Sequence, residues 1–477
     1  MATPPNAAAP LFSRGYRAWL LAMLVLTNGL NLADRLGLAA SAQAIKLDLK
    51  FTDSKLGILQ GLGFAIFYTL MGLPIARLAE HLSRARIIAA CLALFGTMSA
   101  LCSTAHSFTR LLLFRVGVGV GDAGFGPPVS SLVADHYPLN RRASVMAIVW
   151  LGAPLGVVIG SAGAGWLTEH VSWRATFIVI GSLAVLVALL AFLTLREPPR
   201  GLSDPAAALQ GPPPAMSAVV RFLFAKRSMC HILFGCALAA TAMNGIGQFI
   251  NPFMARNYHL GPAQAGALLA LIAGGSMASG LLLGGFGTDW AGRFDKRWYV
   301  WGPALGLVLS APLFLLGFNE PRITSSVALL IAAHVCMFLY YTPTIAMAQN
   351  MVGANMRATS QFFVSLVLGL VGIGLGPTLV GLLSDRFAAR SFALGTFAAA
   401  CPGGRAPAGS GGALAEACRN ASAIGLRHAL MVITLLCVWA ALHYLLAARS
   451  LRRDLETRFE AAAVAPGPAV ATSTGRV

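Results

Sequence analysis

Apolar residues occur along the chain in twelve long stretches, each close to the roughly 20 residues that a helix needs to cross a bilayer. Polar residues are concentrated in the segments between them. The stretches cover residues 17–44, 54–76, 86–105, 108–134, 142–168, 173–195, 228–255, 263–288, 298–318, 323–349, 358–385 and 425–448. This pattern predicts an all-α membrane protein with twelve transmembrane helices, numbered 1 to 12 in chain order.

Most connections between the apolar stretches are short, but two are long. Residues 196–227 form a polar, Pro-rich segment, and residues 386–424 are rich in Gly, Ala and Arg. The first segment predicts a linker between an N-terminal six-helix bundle, residues 1–195, and a C-terminal bundle, residues 228–449. The second predicts a long outer loop within the C-terminal bundle. The Ala/Pro/Thr-rich tail, residues 450–477, is expected to be disordered and cytoplasmic.

The composition agrees with a membrane protein. Apolar residues make up 57% of the chain and charged residues 11%, against roughly 25% charged residues in soluble domains. A formal net charge of +18 fits basic loops that face an anionic cytoplasmic leaflet better than it fits a nucleic-acid partner. Basic residues are more frequent on the side of the termini, so both termini are expected in the cytoplasm. The first apolar stretch lacks a cleavage site, which predicts a spanning helix and not a signal peptide.

Two patterns recur in the two halves of the chain. The turn after helix 2, residues 76–84, has a small residue, an acidic residue four positions later, another small residue and then Arg, and residues 285–293 repeat this pattern. The second echo pairs Arg142 with Arg357 at the starts of helices 5 and 11, and Glu169 with Asp385 at their ends. Either echo alone is compatible with chance. Together they predict duplicated halves, an arrangement typical of transporters that rock one half against the other.

Motifs for chemistry and for ATP hydrolysis are absent. The chain has no Walker A loop, no HExxH and no GxSxG, so we predict that it is not an enzyme and that any energy comes from a gradient. Its eight cysteines lack zinc-like spacing, and no metal or cofactor is expected. Cys401 and Cys418 fall in the long outer loop, where an oxidising compartment would allow a disulfide; two free thiols are the alternative.

Four charged residues lie at bilayer depth, where insertion costs about 2.5–3.5 kcal/mol for each. They are Asp34 and Arg35 in helix 1, and Arg115 and Asp122 in helix 4. One interpretation is a pair of structural salt bridges that hold the two helices together. The other is a proton and substrate site, in which Asp122 carries the proton, with Asp34 as the second candidate. Arg115 or Arg35 would then bind an anionic head group.

Polar groups in the second half extend this hypothesis. Asn244 and Tyr340 are the candidates for substrate contact, although each also suits an ordinary contact between helices. Runs of glycine spaced by four in helices 5, 8 and 11 predict close helix packing. We expect these runs to form the seams along which the two halves move.

These residues resemble the major facilitator superfamily, whose signature is GxxxD(R/K)xGR(R/K). The first copy of this signature, residues 76–84, departs from it at Ala76, Glu80, His81 and Ser83. The second copy, residues 285–293, has Trp290 in place of a basic residue. Within the superfamily the chain most resembles the spinster-like group, and part of the pattern is shared with organic-anion symporters. The matching stretches are Asp34-Arg35, residues 72–80, Arg115 to Gly124, Ser131 to Pro138, Trp173-Arg174 and residues 197–201.

The resemblance implies a proton-coupled secondary transporter of alternating access, with two pseudo-symmetric bundles and an amphiphilic substrate such as a lysolipid or sphingoid-type lipid. The expected partners are this substrate, protons and membrane lipids, and the expected state is a monomer in a bacterial inner membrane. A symporter of small organic anions and a drug efflux pump are the alternatives; an intramembrane enzyme or a receptor-like protein fits less well. The resemblance also implies a cytoplasmic charge latch made of Glu80, Arg84, Asp135, Arg142, Asp289, Arg293 and Arg357.

Overall fold

The computed structural model describes residues 12–137, 145–146, 148–199, 216–351 and 363–463, and this part of the chain is α-helical without a strand. Each of the twelve apolar stretches contains a helix, so the predicted all-α membrane fold is confirmed. In the first half, helix 1 covers Arg14–Asp48, helix 2 Asp53–Gln60 and Leu62–His81, helix 3 Arg84–Cys102, helix 4 Phe108–Asp122 and Gly126–His136, helix 5 Gly152–His170 and helix 6 Trp173–Thr194.

The second half begins with a short helix, Met216–Ala225, in the predicted linker. Helix 7 covers Arg227–Asn257, helix 8 Pro262–Leu269 and Ser276–Ala291 with wide turns between them at Ala270–Gly275, helix 9 Trp298–Asn319, helix 10 Ile323–Phe338 and Tyr341–Asn350, helix 11 the wide-turned Val367–Leu375 and Gly376–Ser391, and helix 12 Gly412–Ala463. Helix 12 is longer than predicted. It takes in residues 412–424 of the expected outer loop and residues 450–463 of the expected disordered tail, so both of those predictions are wrong there.

The bundle has two ends, the terminal face and the loop face. The terminal face is the end at which helix 1 begins, near Arg14, and the loop face is the opposite end, which carries residues 392–411. Large apolar side chains such as those of Ile159, Leu193 and Phe286 point outward. A belt of exposed apolar side chains on helices with internally paired backbones is the surface that lipid requires.

Irregularities in the helices repeat between the halves at the offsets that the sequence echoes show. Helix 2 breaks at Gly61, and the wide turns of helix 8 begin 209 residues later at Ala270. Helix 4 breaks from Ala123, and helix 10 breaks 216 residues later from Leu339. These matching interruptions agree with the duplicated halves that the sequence predicts.

The glycine runs pack within the halves and not between them, so the expectation that they form the moving seams is wrong. In helix 5, a Cβ on Gly156 would lie 2.2 Å from the carbonyl oxygen of Gly29 in helix 1. In the second half, Gly284 of helix 8 contacts helix 10 at Leu339, and Gly376 of helix 11 contacts helix 7. The repeat of small residues therefore fixes the interior of each bundle.

Other glycines lie between the halves, close to the loop face. A Cβ on Gly57 of helix 2 would lie 2.3 Å from the carbonyl oxygen of Pro377 in helix 11. Gly165 of helix 5 approaches Pro262 of helix 8 in the same way, at 2.5 Å. Because only hydrogen fits at these positions, the two halves are in close contact along helices 2 and 11 and along helices 5 and 8.

Candidate functional site

The four charged residues predicted at bilayer depth form two ion pairs between helices 1 and 4. Arg115 donates to Asp34 at 2.5 Å, and Arg35 donates to Asp122 at 2.8 Å. Asp34 also accepts a hydrogen bond from Ser99 of helix 3. The arrangement follows from helix geometry, because Arg115 and Asp122 are two turns apart on one face, whereas the neighbouring Asp34 and Arg35 diverge by about 100°.

The two pairs differ in burial. Asp34 is completely buried and Arg115 is 1% exposed, whereas the Arg35 side chain is 19% exposed and Asp122 is 8% exposed. Asp122 is also the last residue of the first piece of helix 4, just before the break at Ala123. The Asp34–Arg115 pair, called the inner pair below, is therefore buried more deeply than the Arg35–Asp122 pair, called the outer pair. One arginine of each pair, Arg115 and Arg35, borders an enclosed space.

That space is a central cavity of about 80 Å³ between the halves. Helices 1, 2 and 4 supply Arg35, Gln60 and Arg115 from the first half, and the second half supplies Asn244, Gln248 and Ile373; Leu32, Leu36, Leu38 and Phe64 complete the lining. The Arg35 guanidinium lies over the ring of Phe64, 4.2 Å from its centre. The cation–π contact holds the guanidinium in place, and a guanidinium remains charged even where it is only partly hydrated.

Several buried polar atoms around this cavity have no protein partner. They are both amide atoms of Gln60, the Nε atoms of Arg35 and Arg115, and Oε1 of Gln248. A buried donor or acceptor without a partner costs about 1–3 kcal/mol. Water or a polar ligand in the cavity would satisfy these atoms.

The two predicted contacts of the second half have different positions. Asn244 lines the cavity, and its amide donates to the carbonyl oxygen of Ala240 in its own helix. Tyr340 lies at the break in helix 10, fully buried, with its hydroxyl 3.8 Å from the sulfur of Met243. Tyr340 is not part of the cavity wall in this conformation.

Gln60 is a polar cavity residue that the sequence analysis did not identify. It is 5% exposed and lies immediately before the break of helix 2 at Gly61. The sequence signal that could have identified it is a single side-chain amide next to a glycine within an apolar spanning segment. The cavity wall could not be deduced from it, because its neighbours Arg35 and Gln248 belong to distant parts of the chain.

The predicted latch residues at the terminal face make contacts within each half. Arg84 is buried and binds Asp135 of the same half at 2.5 Å and Glu197, in the segment after helix 6, at 2.6 Å. In the second half, Asp289 accepts from Tyr299, and Arg293 is exposed. Arg142, Arg357 and the side chain of Glu80 lie outside the described residues, so the latch as a whole remains a prediction.

Glu197 joins the segment after helix 6 to the start of helix 3. Burial would raise the pKa of its carboxyl, but the backbone N–H of Ala85, the Arg84 guanidinium and the hydroxyl of Ser83 outweigh burial and hold the pKa below its ordinary value. The carboxylate also caps the N-terminus of helix 3 through the N–H of Ala85. These contacts stabilise the terminal face of the first half.

A second charge cluster, which the sequence analysis did not predict, joins the halves at the loop face. Asp53 at the start of helix 2 accepts two hydrogen bonds from Arg256 of helix 7, at 2.6 and 2.7 Å, and a third from Lys46 of helix 1 at 2.6 Å. Ser384 of helix 11 donates to the same carboxylate. This cluster, called the loop-face latch below, is buried and bridges both halves.

Two further carboxylates cap helices of the opposite half beside the loop-face latch. Asp385, six residues before the end of helix 11, accepts from the backbone N–H groups of Asp53 and Ser54, at the start of helix 2. Glu169, at the end of helix 5, accepts from the N–H of Ala263 at the start of helix 8, 2.7 Å away. A carboxylate at a helix N-terminus is favoured by the helix dipole. The Glu169 and Asp385 echo therefore corresponds to one contact made twice.

The two loop cysteines are joined in the structure. The sulfur atoms of Cys401 and Cys418 are 2.03 Å apart and close a loop of sequence separation 17. Closing a loop of this size contributes about 3 kcal/mol in the chain-entropy model. Among the described residues, no group of three or more His, Cys, Asp or Glu side chains is arranged to hold a metal ion.

Residues 21–377 match the family model described as Major Facilitator Superfamily. A curated protein called MFS-type efflux pump, from Mycolicibacterium smegmatis, is 30% identical over 77% of this chain and 85% of its own length. Protein spinster of Drosophila melanogaster is 24% identical over 80% of this chain and 65% of its own length. The hexuronate transporter of Bacillus subtilis is 25% identical over 77% of this chain and 88% of its own.

A solved structure is similar over almost the whole fold. It is the crystal structure of a bacterial homologue of the human lysosomal transporter spinster, in an inward-facing and unoccupied conformation. The two chains share 31% identity, with a TM-score of 0.84 over 93% of this chain and 99% of the other. The similarity extends through both six-helix halves.

Proposed function

We propose that this chain, which belongs to the Major Facilitator Superfamily and to its spinster-like group, moves an amphiphilic substrate of lysolipid or sphingoid type in exchange for, or together with, protons. As a transporter of this family it is not an enzyme. The observation that carries the proposal is the central cavity, where the Arg35–Asp122 pair lies beside unpartnered polar atoms of both halves.

The conformation is inward-facing under this proposal. The loop face is closed by the loop-face latch and by glycine contacts between helices 2 and 11. The excess of basic residues on the side of the termini favours a cytoplasmic terminal face, and the similar solved structure is inward-facing. The chain then lies in a bacterial inner membrane, as a monomer, with both termini in the cytoplasm.

Protonation of Asp122 is the proposed coupling step. When an Oδ atom of Asp122 takes a proton, the carboxyl loses its charge and its attraction for Arg35 falls. The Arg35 guanidinium, still held over Phe64, then becomes available to an anionic head group in the cavity. Loss of the proton restores the ion pair and displaces the head group. Asp34, enclosed by Arg115 and Ser99, holds helices 1, 3 and 4 together.

A small organic anion is the second candidate substrate. The polar groups of Gln60, Gln248 and Arg35 would suit a carboxylate, and one similar protein is called a hexuronate transporter. The apolar part of the wall, Leu32, Leu36 and Ile373, favours an amphiphile. Drug efflux is the third candidate, and one similar protein is called an efflux pump.

The test is uptake by the pure protein in liposomes, with lysolipids and small carboxylates as alternative substrates, with and without an imposed pH gradient. We expect the gradient to raise lysolipid transport at least tenfold and Asp122→Asn to remove this dependence. Asp295→Asn, which removes a partly exposed carboxylate that is paired with Arg452 at the terminal face, is the matched control and should retain the dependence on the gradient. Transport that is unaffected by the gradient and by Asp122→Asn would reject the proton-carrier role. Uptake of small carboxylates without uptake of lysolipids would reject the lipid substrate.

A further inference from the structure

A larger cavity, of about 460 Å³, lies at the loop face, apart from the central cavity. Helix 1 of the first half forms one wall, and the end of helix 7, residues 404–405 and the start of helix 12 form the others. Its polar lining residues are Gln43, Asn251, Arg256, Asn257, His259, Arg405, Arg419, Asn420, Ser422 and Arg427. The Cys401–Cys418 disulfide ties together the two segments that supply Arg405 and Arg419.

The charge of this cavity is strongly positive. Four arginines line it, and no Asp or Glu is among its lining residues. Asp53 neutralises Arg256, whereas Arg405, Arg419 and Arg427 make no ion pair with a carboxylate in the part of the chain that the structure describes. Arg419 and Arg427 are eight residues apart on helix 12 and therefore lie on one face of the helix.

Buried donors face the same space without a partner. Asn251 is 1% exposed, and its amide Nδ2 has no hydrogen-bond acceptor. The Nε atom of Arg427 is buried and equally unpartnered. Both atoms can only donate a hydrogen bond. Together with the uncompensated positive charge, they fit an acceptor of negative charge.

We propose that this loop-face cavity binds a phosphate-type oxyanion, either as free phosphate or as the head group of a lipid. Guanidinium groups bind phosphate oxygens in pairs of parallel hydrogen bonds, and three uncompensated arginines match a dianion better than they match a single carboxylate. Asn251 would donate to a further oxygen. This site lies outside the central cavity, and its existence does not depend on the proposed transport function.

The site also has a consequence for the loop-face latch. Arg256 lines the cavity and at the same time binds Asp53 and Gln43. An oxyanion beside Arg256 competes with Asp53 for the same guanidinium. Because Asp53 and Arg256 belong to different halves, occupancy of the cavity weakens the contact that keeps the loop face closed.

The test is binding to the full chain in detergent, followed by calorimetry at constant ionic strength set with chloride. The probes are inorganic phosphate and dodecyl phosphate, with dodecyl maltoside alone as the uncharged background. We expect saturable binding that falls at least tenfold in the double variant Arg419→Gln/Arg427→Gln and about threefold in Asn251→Leu. Arg322→Gln is the matched control, because Arg322 is an exposed arginine of the same face outside the cavity.

The outcomes separate the two sources of the anion. Arginine-dependent binding of both probes supports the site and shows that free phosphate suffices; arginine-dependent binding of dodecyl phosphate alone supports it as a lipid head-group site. No saturable binding, or binding equally strong in the double variant and in Arg322→Gln, overturns the proposal. Thermal unfolding without an anion checks that the variants are folded, and Asn251→Leu should melt no lower than the unchanged chain, because it removes an unpaired buried amide.

Discussion

Asp34 and Asp122 are both paired with arginine, but they have different roles in the proposed mechanism. Asp34 is enclosed by Arg115 and Ser99 and has no exposed surface. Asp122 lies at a helix break and is paired with Arg35, which borders the central cavity. A charge that cannot reach water holds a structure together, whereas a charge beside water can change its protonation. The inner pair fits the interpretation as a structural salt bridge, and the outer pair fits the interpretation as a coupling site.

Arg115→Leu is expected to lower stability more than Arg35→Leu. Removing Arg115 leaves the buried Asp34 carboxylate without its cation, and such a loss costs roughly 3 kcal/mol or more. Asp122 is 8% exposed, whereas Asp34 is completely buried, so Arg35→Leu should lower stability less. Thermal unfolding of the purified variants under identical detergent conditions measures both. An equal or larger loss for Arg35→Leu would contradict the assignment of the inner pair.

Glu197 gives a pH dependence with a defined sign. Its pKa is lowered in the folded chain, so its ionised form stabilises the fold. This contribution is complete above the ordinary pKa of 4.5 and is lost as the pH falls through the lower folded value. We expect Glu197→Gln to lower the melting temperature at pH 7 and to lower it less at pH 3, measured by thermal unfolding. A constant difference at both pH values would contradict it.

At the scale of helices, small residues serve two separate purposes. The runs in helices 5, 8 and 11 bring neighbouring helices of one half together, as Gly156 does against Gly29. Gly57 and Gly381 instead allow helices 2 and 11 of opposite halves to touch, with Gly381 against the backbone of Asp53. The spacing of glycines predicts close packing in both cases, but it does not tell which neighbour is approached.

Gly57→Ala and Gly156→Ala should therefore have different effects. A methyl group at Gly57 would collide with the Pro377 carbonyl, so we expect the loop face to open and residues 43–57 to exchange backbone hydrogen faster. At Gly156 the same change collides within one half and should lower the melting temperature. Hydrogen–deuterium exchange and thermal unfolding of both variants separate the effects. Faster exchange at residues 43–57 in Gly156→Ala alone would reverse the assignment.

At the scale of the whole molecule, the ionic contacts between the halves are concentrated at the loop face. Asp53 binds Arg256, while Asp385 and Glu169 each cap a helix of the other half. At the terminal face, Arg84 and Asp289 bind partners of their own half. A transporter that alternates its access needs one set of contacts made while the other is broken, and the loop face carries the ionic contacts between the halves that the structure describes.

Asp53→Asn should shift the equilibrium toward a conformation open at the loop face. The change removes the charge that Lys46 and Arg256 share while it keeps the size of the side chain. A loss of about 1.4 kcal/mol would change the ratio of the two conformations tenfold. Asp48→Asn is the matched control, because Asp48 lies at the same face but binds Arg174 of its own half. Hydrogen exchange in residues 253–266 should rise only in Asp53→Asn, and equal exchange in both variants would reject the latch.

The sequence by itself determined the positions of the helices and identified the charged residues that are energetically costly in a bilayer. Lengths of apolar stretches predict the helices because a bilayer has a fixed thickness. Asp34, Arg35, Arg115 and Asp122 could be identified because charges at that depth need a reason. The duplication was visible at residues 76–84 and 285–293, since equivalent turns of two repeats keep the same local requirements.

Only the tertiary structure decided which residues meet across the two halves. Asp53 and Arg256 are 203 positions apart and look like ordinary charges near helix ends, so no local pattern marks them as partners. The two cavities could not be predicted from the sequence for the same reason, because their walls combine helix 1 with helix 7 and with residues still further along the chain. Hydrophobic periodicity fixes a helix and its depth in the membrane, whereas the pairing of polar groups depends on how the two bundles are oriented toward each other.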